Sequence, residues 1–509
     1  MLDKSSTKLY SWFPRVRGRT LLPRGVMNTP RRILAACVAA SLVSIVDPLG
    51  PAPLAAQARS GDDRFLGNWQ GALQVSGLSL RLALTFERDP AGKLGGTLTS
   101  IDQGGAKLPM EVTVAGDSVR ATLARIQAAF AGRLNSAGDS IDGAWTQAGT
   151  TLPLRLGKVA AVAALVRPQE PKPPFPYRAE EVAFDSEEGV KLAGTLTLPQ
   201  GAGPFPAVVL VTGSGPQDRD ESLLGHRPFL VLADHLTRRG IAVLRYDDRG
   251  FGKSTGSFAA ATSEDFAEDA LAGVRFLRAR RDIGRVGIAG HSEGGLVAPL
   301  AAVRSDDVAF LVLLAGTGLP GDSILKLQGR LIARANGVSA DLVDASARAQ
   351  ARMFAVIKAG GDSAAMVARL SEIGRAMVDS LSEEQRREAQ VDPASMERNI
   401  RQLVSPWFRY FLAYDPRPTL RRVKVPVLAV NGGLDLQVPP KENLAAIEAA
   451  LREGGNRDVR VVELPGLNHL FQTTTTGAPS EYGTIEETMS PAVLNAVSGW
   501  ILERFGPGR

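Results

Sequence analysis

Residues 285–300 read RVGIAGHSEGGLVAPL, and this stretch decides the fold. It opens with an apolar run that predicts a strand and closes with an Ala- and Leu-rich run that predicts a helix. Between them, residues 290–294 match G-x-S-x-G, a sharp turn that forces strained backbone angles on the serine and needs small neighbours. The stretch therefore predicts that Ser292 is a nucleophile whose hydroxyl stands clear of the edge of a sheet.

A second match to the same pattern, GKSTG at residues 252–256, lacks these surroundings. Loop-type residues flank it on both sides, so Ser254 is not expected to be a nucleophile. The overlapping run GFGKST is similar to the end of a phosphate-binding loop, but that motif needs a glycine where the chain has Asp247. This part of the chain therefore predicts neither a nucleophilic serine nor a phosphate-binding loop.

Length and composition bound the class of protein. The 509 residues exceed one typical domain, and 44% hydrophobic with 22% charged residues is ordinary for a globular protein. The formal charge is +6, but the excess of Lys and Arg lies in residues 1–58 and the rest of the chain is balanced. A nucleic-acid partner needs a clustered positive surface, so none is predicted. No metal cluster is visible either, and no cofactor is predicted.

Residues 1–58 are predicted to be a leader, with a secretory signal peptide over about 27–58. Two arginines precede an apolar run over 33–46, and small residues near position 58 fit a cleavage site. A membrane anchor is the alternative, but the run ends at Asp47 and is shorter than the ~20 residues of a spanning helix. We expect a secreted or periplasmic protein without stable membrane insertion after cleavage. The only cysteine of the chain lies in the leader, which excludes disulfides in the processed protein.

Residues 59–157 are expected to form a small all-β domain, either a barrel or a sandwich. Apolar and polar residues alternate with period 2, and Gly-Asp pairs separate the runs. The alternating runs are residues 78–86, 110–114, 118–123, 130–134 and 152–156. The domain is interpreted as a structural appendage, with a substrate- or surface-binding module as the alternative. Residues 158–178 contain the proline-rich run VRPQEPKPPFPY and predict a semi-rigid linker.

Strand and helix patterns alternate through residues 179–509, which are expected to form the catalytic domain. The predicted strands are residues 182–184, 191–198, 207–212, 241–246, 286–289, 309–315, 425–430 and 459–464. The predicted helices are residues 228–239, 264–281 and 491–505. This alternation predicts a mostly parallel sheet covered on both faces. In such sheets the site lies beyond the carboxyl ends of the strands.

A serine nucleophile needs a general base, and the chain has only four histidines. His469 lies in a loop just past the last predicted strand, at the catalytic edge, and is the predicted base. His226 and His235 are interpreted as packing or surface residues. His291 adjoins the nucleophile, but its side chain is expected to point elsewhere.

The base in turn needs an acid that orients it. Asp435 follows the strand at residues 425–430 and lies at the same edge, so it is the predicted acid. Asp415 and Asp458 are the alternatives, but one lies in a connector before a proline and the other comes before its strand. The order serine, aspartate, histidine along the chain is the one found where a G-x-S-x-G turn lies between a strand and a helix of such a sheet.

Two backbone N–H groups are expected to bind the oxyanion of the tetrahedral intermediate. One is that of Glu293, directly after the nucleophile. The other is expected from the loop after the strand at residues 207–212, with Ser214 preferred and Gly215 second.

These motifs together resemble the α/β-hydrolase superfamily, and most closely its secreted bacterial esterase branch, often called serine aminopeptidase-like. The motifs are TGSGPQDRDE (212–221), RYDDRGFGKSTG (245–256), GHSEGG (290–295), SPWFRYFLAYDP (405–416), NGGLDLQVP (431–439) and GLNHLF (466–471). The resemblance spans about 179–509 and implies hydrolysis of short acyl esters by the serine, aspartate and histidine already named. Many relatives carry His-Gly before the oxyanion residue, whereas this chain carries Thr-Gly.

A helical insertion over about 320–416 is expected to cap the active site. Trp407, Phe408, Tyr410 and Phe411 cluster near its end and are predicted to line the acyl pocket, with core packing as the alternative.

The combined prediction is a secreted serine carboxylesterase that cleaves small to medium esters through an acyl-enzyme. A serine peptidase, aminopeptidase or amidase with the same triad is the first alternative, in which Glu293 or Asp218 would anchor a substrate amine. A binding protein on an inactive hydrolase scaffold is the second. The expected partner is a small-molecule ester.

Overall fold

The computed structural model describes residues 61–506 except 76–77, 103–104, 148–149, 188, 384 and 387–392. The predicted leader lies outside the described residues. Among the described helices, none combines the length and the apolar character that crossing a bilayer requires.

Eight antiparallel strands near the start of the described chain close into a barrel. They are β1 (Gly67–Val75), β2 (Leu78–Arg88), β3 (Leu94–Ser100), β4 (Ala106–Ala115), β5 (Ser118–Leu123), β6 (Ala128–Leu134), β7 (Ser140–Gln147) and β8 (Thr150–Val159). Each strand pairs with the next, and β1 pairs with β8 to complete the closure. The barrel form, rather than the sandwich, is therefore the one observed.

Inward-facing side chains of these strands form one hydrophobic core. In β2, Leu82, Leu84 and Phe86 are buried in that core, as the alternation of the sequence predicts. Strands β1, β3 and β7 were not among the predicted runs, because glycines interrupt their alternation. At Gly96 in β3 an added Cβ would overlap the carbonyl oxygen of Thr85, so the glycine permits close approach of the two strands.

An eight-stranded sheet forms the centre of the C-terminal unit. Its strands are β9 (Arg178–Asp185), β10 (Lys191–Leu198), β11 (Phe205–Val211), β12 (Ala242–Tyr246), β13 (Ile283–His291), β14 (Val308–Leu314), β15 (Val427–Gly432) and β16 (Val459–Leu464). Their spatial order is β16-β15-β14-β13-β11-β12-β10-β9. Strands β9 and β10 are antiparallel to their neighbours, and the others pair in parallel.

The helices of the C-terminal unit either cover the two faces of this sheet or belong to an insertion between β14 and β15. They are α1 (Pro228–Arg238), α2 (Ser263–Arg278), α3 (Gly294–Ala302), α4 (Gly321–Ala335), α5 (Ala340–Ala359), α6 (Ser363–Asp379), α7 (Pro393–Leu403), α8 (Pro406–Ala413), α9 (Arg417–Arg422), α10 (Pro440–Glu453) and α11 (Pro491–Phe505). Helices α1 and α11 pack on the face that presents Val208 and Leu210. Helices α2, α3 and α10 pack on the face that presents Val209 and Ile288. Because both faces are buried, the central parallel strands are mostly apolar.

Five of these helices, α4 to α8, form a cap inserted between β14 and β15. The cap has its own hydrophobic cluster, which includes Phe354, Leu370 and Leu412. Trp407, in α8, packs against both this cluster and the main core of the sheet. The predicted fold class, a mostly parallel α/β-hydrolase sheet with a helical cap behind a small all-β domain, is confirmed.

Candidate active site

Strand β13 ends at a sharp turn that presents Ser292. The residue has a φ of +54°, in the left-handed region that non-glycine residues rarely adopt. Its backbone N–H donates to the carbonyl of Leu314 at 2.8 Å, and helix α3 begins two residues later. A Cβ added at Gly290 or at Gly294 would overlap neighbouring backbone, so this turn requires glycine at both positions. The geometry is that of a nucleophile elbow.

Asp435 and His469 meet at the same edge of the sheet. His469 Nδ1 lies 2.8 Å from Asp435 Oδ2, and the Asp435 side chain is fully buried. The other carboxylate oxygen, Oδ1, accepts the backbone N–H groups of Gln437 at 2.8 Å and Val438 at 2.9 Å. Asp435 is therefore held by its own loop and can in turn fix the orientation of the imidazole.

The order of the strands brings the three predicted residues to one edge. Ser292 follows β13, Asp435 follows β15 and His469 follows β16, and these strands run parallel. The ring of His291, next to the nucleophile, has its centroid 4.8 Å from that of His469. The alternative acids lie elsewhere: Asp415 pairs with Arg417, and Asp458 pairs with Arg504.

The loop after β11 lies directly beside the nucleophile. A Cβ added at Gly213 would sit 3.3 Å from the Cβ of Ser292. Gly213 donates its own N–H to Glu221 Oε1 at 2.9 Å. Within the part of the chain that the structure describes, the N–H groups of Ser214, Gly215 and Glu293 have no acceptor. All three predicted oxyanion donors are thus available to a ligand.

Asp248 anchors this loop at two points. Its Oδ1 accepts the hydroxyl of Thr212, and its Oδ2 accepts the backbone N–H of Gln217, both at 2.9 Å. Burial raises the pKa of Asp248 well above its usual range, against the effect of these two donors. The loop that carries Ser214 and Gly215 is therefore tied down on either side.

The Glu293 side chain is buried beneath the cap and already has its hydrogen bonds. It accepts the Ser263 hydroxyl at 2.6 Å and the Trp407 indole N–H at 2.8 and 3.0 Å. Burial raises the pKa of Glu293, and hydrogen bonds from Ser263, Trp407 and Ser214 lower it in part. This carboxyl group connects the elbow to the cap.

The four aromatic residues predicted to line the acyl pocket have different surroundings. Trp407 bonds to Glu293, and the Tyr410 hydroxyl donates to Glu264. Phe408 is buried in the cap cluster, and Phe411 is buried in the main core. Two of the four thus occupy packing positions, the alternative that the sequence had left open.

A narrow cavity beside the elbow is lined by other aromatic residues. Its walls include Thr212, Gly213, Phe258, Phe266, Glu293 and Val297. The rings of Phe258 and Phe266 stack with centroids 4.8 Å apart. Neither phenylalanine could be predicted from the sequence, because no local pattern shows that the segment after GKSTG lies against the elbow.

Glu221 and His291 are two further residues at the site for which the sequence predicted no role. His291 Nδ1 lies 2.8 Å from Glu221 Oε1, and His291 Nε2 lies 3.0 Å from the carbonyl oxygen of His469. The His291 side chain was expected to point elsewhere than the nucleophile, and its ring contacts Glu221 and the loop of the predicted base. Its position in GHSEGG was visible in the sequence, and its partner was not.

The remaining singled-out residues are structural. Ser254, the serine of the second G-x-S-x-G match, donates to the carbonyl of Asp247 and accepts the N–H of Ala193. His226 is fully buried, and burial lowers its pKa to about 4. His235 lies 3.1 Å from the Ser498 hydroxyl. Over the described part of the chain, no group of three or more His, Cys, Asp or Glu side chains has an arrangement that could hold a metal ion.

The strand order, elbow and cap define the C-terminal unit as an α/β-hydrolase fold. The family model described as "Serine aminopeptidase, S33" matches residues 227–473. This match confirms the resemblance of the unit to that superfamily.

A curated relative, esterase EstD of Thermotoga maritima, is 27% identical over 317 residues. The match covers 61% of this chain and 66% of the relative, slightly under two thirds of its length.

Among solved structures, ferulic-acid-bound Est1E from Butyrivibrio proteoclasticus is 18% identical with a TM-score of 0.37, covering 64% of this chain and 98% of that one. The Pyrococcus furiosus esterase Pf2001 is 15% identical with a TM-score of 0.38, covering 65% and 94%. Both are distant, so the fold assignment rests on the strand order given above.

Proposed function

We propose that this chain is a secreted serine carboxylesterase that cleaves small to medium carboxylic esters. The observation that carries the proposal is the 2.8 Å contact between His469 Nδ1 and Asp435 Oδ2, at the sheet edge where the elbow presents Ser292. An imidazole oriented in this way is the base that a serine nucleophile needs. The esterase name of the Thermotoga maritima relative supports the same activity.

In the proposed mechanism, Ser292 Oγ attacks the ester carbonyl and His469 Nε2 takes the hydroxyl proton. Asp435 keeps the proton on Nδ1 and stabilises the imidazolium that forms. The N–H groups of Glu293 and of Ser214 or Gly215 bind the developing oxyanion. His469 then protonates the departing alkoxide, which leaves an acyl group on Ser292. A water molecule, deprotonated by His469, attacks that acyl group and regenerates the serine.

The state of two acidic side chains favours esters over peptides with a free amino terminus. An aminopeptidase needs an acidic anchor for the substrate amine, and Glu293 and Asp218 were the candidates. The Glu293 carboxylate is occupied by Ser263 and Trp407. Asp218 Oδ1 accepts the backbone N–H groups of Asp220 and Ser222 within its own loop. The Glu293 carboxylate is thus engaged by other groups, and Asp218 has one of its two oxygens engaged within its own loop.

The proposed location is outside the cytoplasm, in the periplasm or the medium. This proposal is supported by the leader at residues 27–58, in which arginines are followed by an apolar run and then by small residues that fit a cleavage site. Determining the amino-terminal residue of protein recovered from those fractions tests this: a mature chain that begins near residue 59 is expected, and an intact leader would contradict it.

The activity is tested with p-nitrophenyl acetate and a fluorophosphonate probe. Ser292→Ala is expected to abolish both turnover and labelling, because the acyl-enzyme can no longer form. Ser254→Ala is the matched control, since it changes the other G-x-S-x-G serine and is expected to keep both.

Aminoacyl p-nitroanilides separate the first alternative function from the proposed one. Faster turnover of the anilides than of the aryl esters would favour a peptidase. If the wild-type protein hydrolyses neither the anilides nor the esters and does not react with the fluorophosphonate probe, the second alternative, a binding protein on an inactive hydrolase scaffold, would be favoured.

A further inference from the structure

A buried histidine and glutamate beside the predicted triad have no part in the mechanism above. His291 and Glu221 are 6% and 4% exposed, so solvent hardly reaches either. His291 Nδ1 lies 2.8 Å from Glu221 Oε1. His291 Nε2 lies 3.0 Å from the carbonyl oxygen of His469. The imidazole thus spans from the loop before α1 to the loop that carries the predicted base.

Both ring nitrogens of His291 face atoms that can only accept hydrogen bonds. A carboxylate oxygen and a backbone carbonyl oxygen have no proton to donate, so each contact needs an N–H on the imidazole. A neutral ring carries one N–H and would leave one of these two buried acceptors facing a lone pair. The contacts therefore assign a proton to each ring nitrogen, which makes His291 an imidazolium paired with the Glu221 carboxylate.

The charged and titratable groups around His291 agree with this assignment. Burial, the largest effect, lowers the pKa of His291, but Glu221, the His469 carbonyl and Asp435 outweigh it and raise the pKa above its usual value. The other neighbouring rings are those of His469 and Phe471, with centroids at 4.8 and 6.3 Å. The pair of Glu221 and His291 adds no net charge to the site.

Glu221 extends the connection to the oxyanion loop, which is the loop after β11 that carries the predicted oxyanion donors Ser214 and Gly215. The same oxygen that faces His291, Oε1, accepts the backbone N–H of Gly213 at 2.9 Å. Gly213 immediately precedes Ser214, and a Cβ added to it would lie 3.3 Å from both Glu221 Oε1 and the Cβ of Ser292. Glu221 has a φ of +54°, a left-handed conformation that is costly for a non-glycine residue and that surrounding contacts must hold in place.

We propose that the Glu221–His291 ion pair is a positioning device that keeps the oxyanion loop and the backbone of His469 at a fixed distance from each other at the elbow. The inference rests on the proposed function and assigns to this pair a role that the triad and the oxyanion donors do not cover. Four groups are connected in sequence: the Gly213 N–H, the Glu221 carboxylate, the His291 imidazolium and the His469 carbonyl. Ser292 follows His291 in the chain and its Cβ lies beside Gly213, so we expect a change in either contact to alter the distance between the base and the oxyanion donors.

The variant Glu221→Gln separates this role from simple packing. Gln keeps the volume of Glu, and its single oxygen can still accept both Gly213 N–H and His291 Nδ1–H. Without the carboxylate charge, burial keeps His291 neutral, so Nε2 loses its proton and cannot donate to His469. One contact of the four-group connection is then lost while the fold is kept.

The first test is nuclear magnetic resonance of protein labelled with ¹⁵N-histidine. The chain has four histidines, and His291→Asn assigns the signal of interest. In the wild type we expect both ring nitrogens of His291 to be protonated at pH 7, and in Glu221→Gln only one. A neutral His291 in the wild type would overturn the proposal.

The second test is the pH dependence of kcat for ester hydrolysis. As pH rises past the raised pKa of His291, the ring loses one N–H, so the wild type is expected to show an alkaline decline in kcat. Glu221→Gln is expected to lower kcat about 10- to 100-fold with little change in KM, because small misplacement of catalytic groups has effects of that size. The variant is also expected to lack the alkaline decline.

Asp234→Asn is the matched control for the kinetic test. Asp234 is a carboxylate on α1 that accepts hydrogen bonds from the Tyr177 hydroxyl and from Arg238, and it belongs to no part of the site. Its amide variant is expected to lose some stability and to keep both kcat and the alkaline decline. An alkaline decline that is the same in Glu221→Gln as in the wild type would refute the positioning role.

The two proposals fail in distinguishable ways. The resonance experiment reports the charge of His291 without any turnover. A protonated His291 in a protein that hydrolyses no ester would contradict the proposed function and leave the ion pair standing. An active esterase with a neutral His291 would contradict only the inference.

Discussion

The left-handed backbone of Ser292 is a local cost that its glycine neighbours make tolerable. At Gly294 an added Cβ would overlap the carbonyl oxygen of Val211, the last residue of β11. That strand leads directly into the loop with the predicted oxyanion donors. A single methyl group at Gly294 thus reaches both the turn and the loop, and the glycine requirement comes from close packing rather than from turn geometry alone.

Gly294→Ala is therefore expected to lower the free energy of unfolding by about 1–3 kcal/mol, the usual range for overpacking, and to reduce esterase activity strongly. Gly499→Ala is the matched control, because a Cβ added there, inside α11, meets nothing within 4 Å. It is expected to be neutral or to stabilise by up to about 1 kcal/mol, since alanine favours helix. Denaturant unfolding and p-nitrophenyl acetate turnover of both variants check this; equal losses in the two would contradict the packing argument.

At the scale of elements, helix α8 fastens the cap to the catalytic unit. The Trp407 indole donates to the buried Glu293 carboxylate, and the Tyr410 hydroxyl donates to Glu264 on α2. Trp407 also stacks on Phe411, with ring centroids 5.7 Å apart. Since the backbone N–H of Glu293 is a predicted oxyanion donor, the position of the cap and that of the donor are mechanically connected.

Trp407→Phe removes the indole N–H and keeps an aromatic ring in its place. The Glu293 carboxylate then loses a donor, so its pKa, already raised by burial, is expected to rise further. Hydrogen bonds to charged groups contribute about 1.5–3 kcal/mol, so stability should fall by that order, and kcat/KM should fall as the elbow shifts.

The matched control for this variant is Trp500→Phe in α11. Its indole nitrogen is buried and has no hydrogen-bond partner among the described residues. Thermal unfolding and ester turnover are measured for both variants. Trp500→Phe should lose stability through lost volume and retain kcat/KM; equal kcat/KM in the two variants would show that the Trp407–Glu293 bond does not act on the site.

At the scale of the whole molecule, the proline-rich linker holds a segment of the catalytic unit. Arg167 donates to the carbonyl groups of Ile485 and Gly483 at 2.9 Å and of Leu224 at 3.0 Å. Gln169 Nε2 donates to the carbonyl of Met489 at 2.6 Å. The held segment follows His469 in the chain, so the linker supports the side of the sheet where the predicted base lies.

Arg167→Ala is expected to lower the free energy of unfolding by about 2–4 kcal/mol, because three partly buried carbonyl groups lose a charged donor. Arg167→Lys should lose less, since an ammonium group can reach some of the three acceptors but not all in the planar geometry of a guanidinium.

Arg457→Ala is the control, because this exposed side chain bonds to nothing among the described residues. Its stability is expected to match that of the wild type. Denaturant unfolding of the full chain measures all three variants, and a loss in Arg167→Ala no larger than in Arg457→Ala would remove the linker contact as a source of stability.

Much of the fold could be predicted from local patterns, and the limits of that prediction are physical. The strand at Val459–Leu464 and the helix at Pro491–Phe505 were predicted with their observed bounds, because long apolar runs with clear ends set their own periodicity. The barrel strands β1, β3 and β7 were missed, because their glycines serve contacts between strands rather than a pattern along one strand. The stacking of Phe258 on Phe266 at the cavity could not be predicted for a related reason: a contact between the segment before α2 and α2 itself leaves no periodic signal.

The amino-acid sequence by itself determined which residues carry reactive groups and at which ends of which strands they stand, because the G-x-S-x-G turn and the alternation of strands and helices are local patterns. Only the tertiary structure decided that His291 meets Glu221, that Glu293 is occupied by Trp407 of the cap, and that Phe408 and Phe411 pack in cores. Each of these contacts joins residues far apart in the chain, and partners of this kind are set by how the loops and the cap close over the sheet edge.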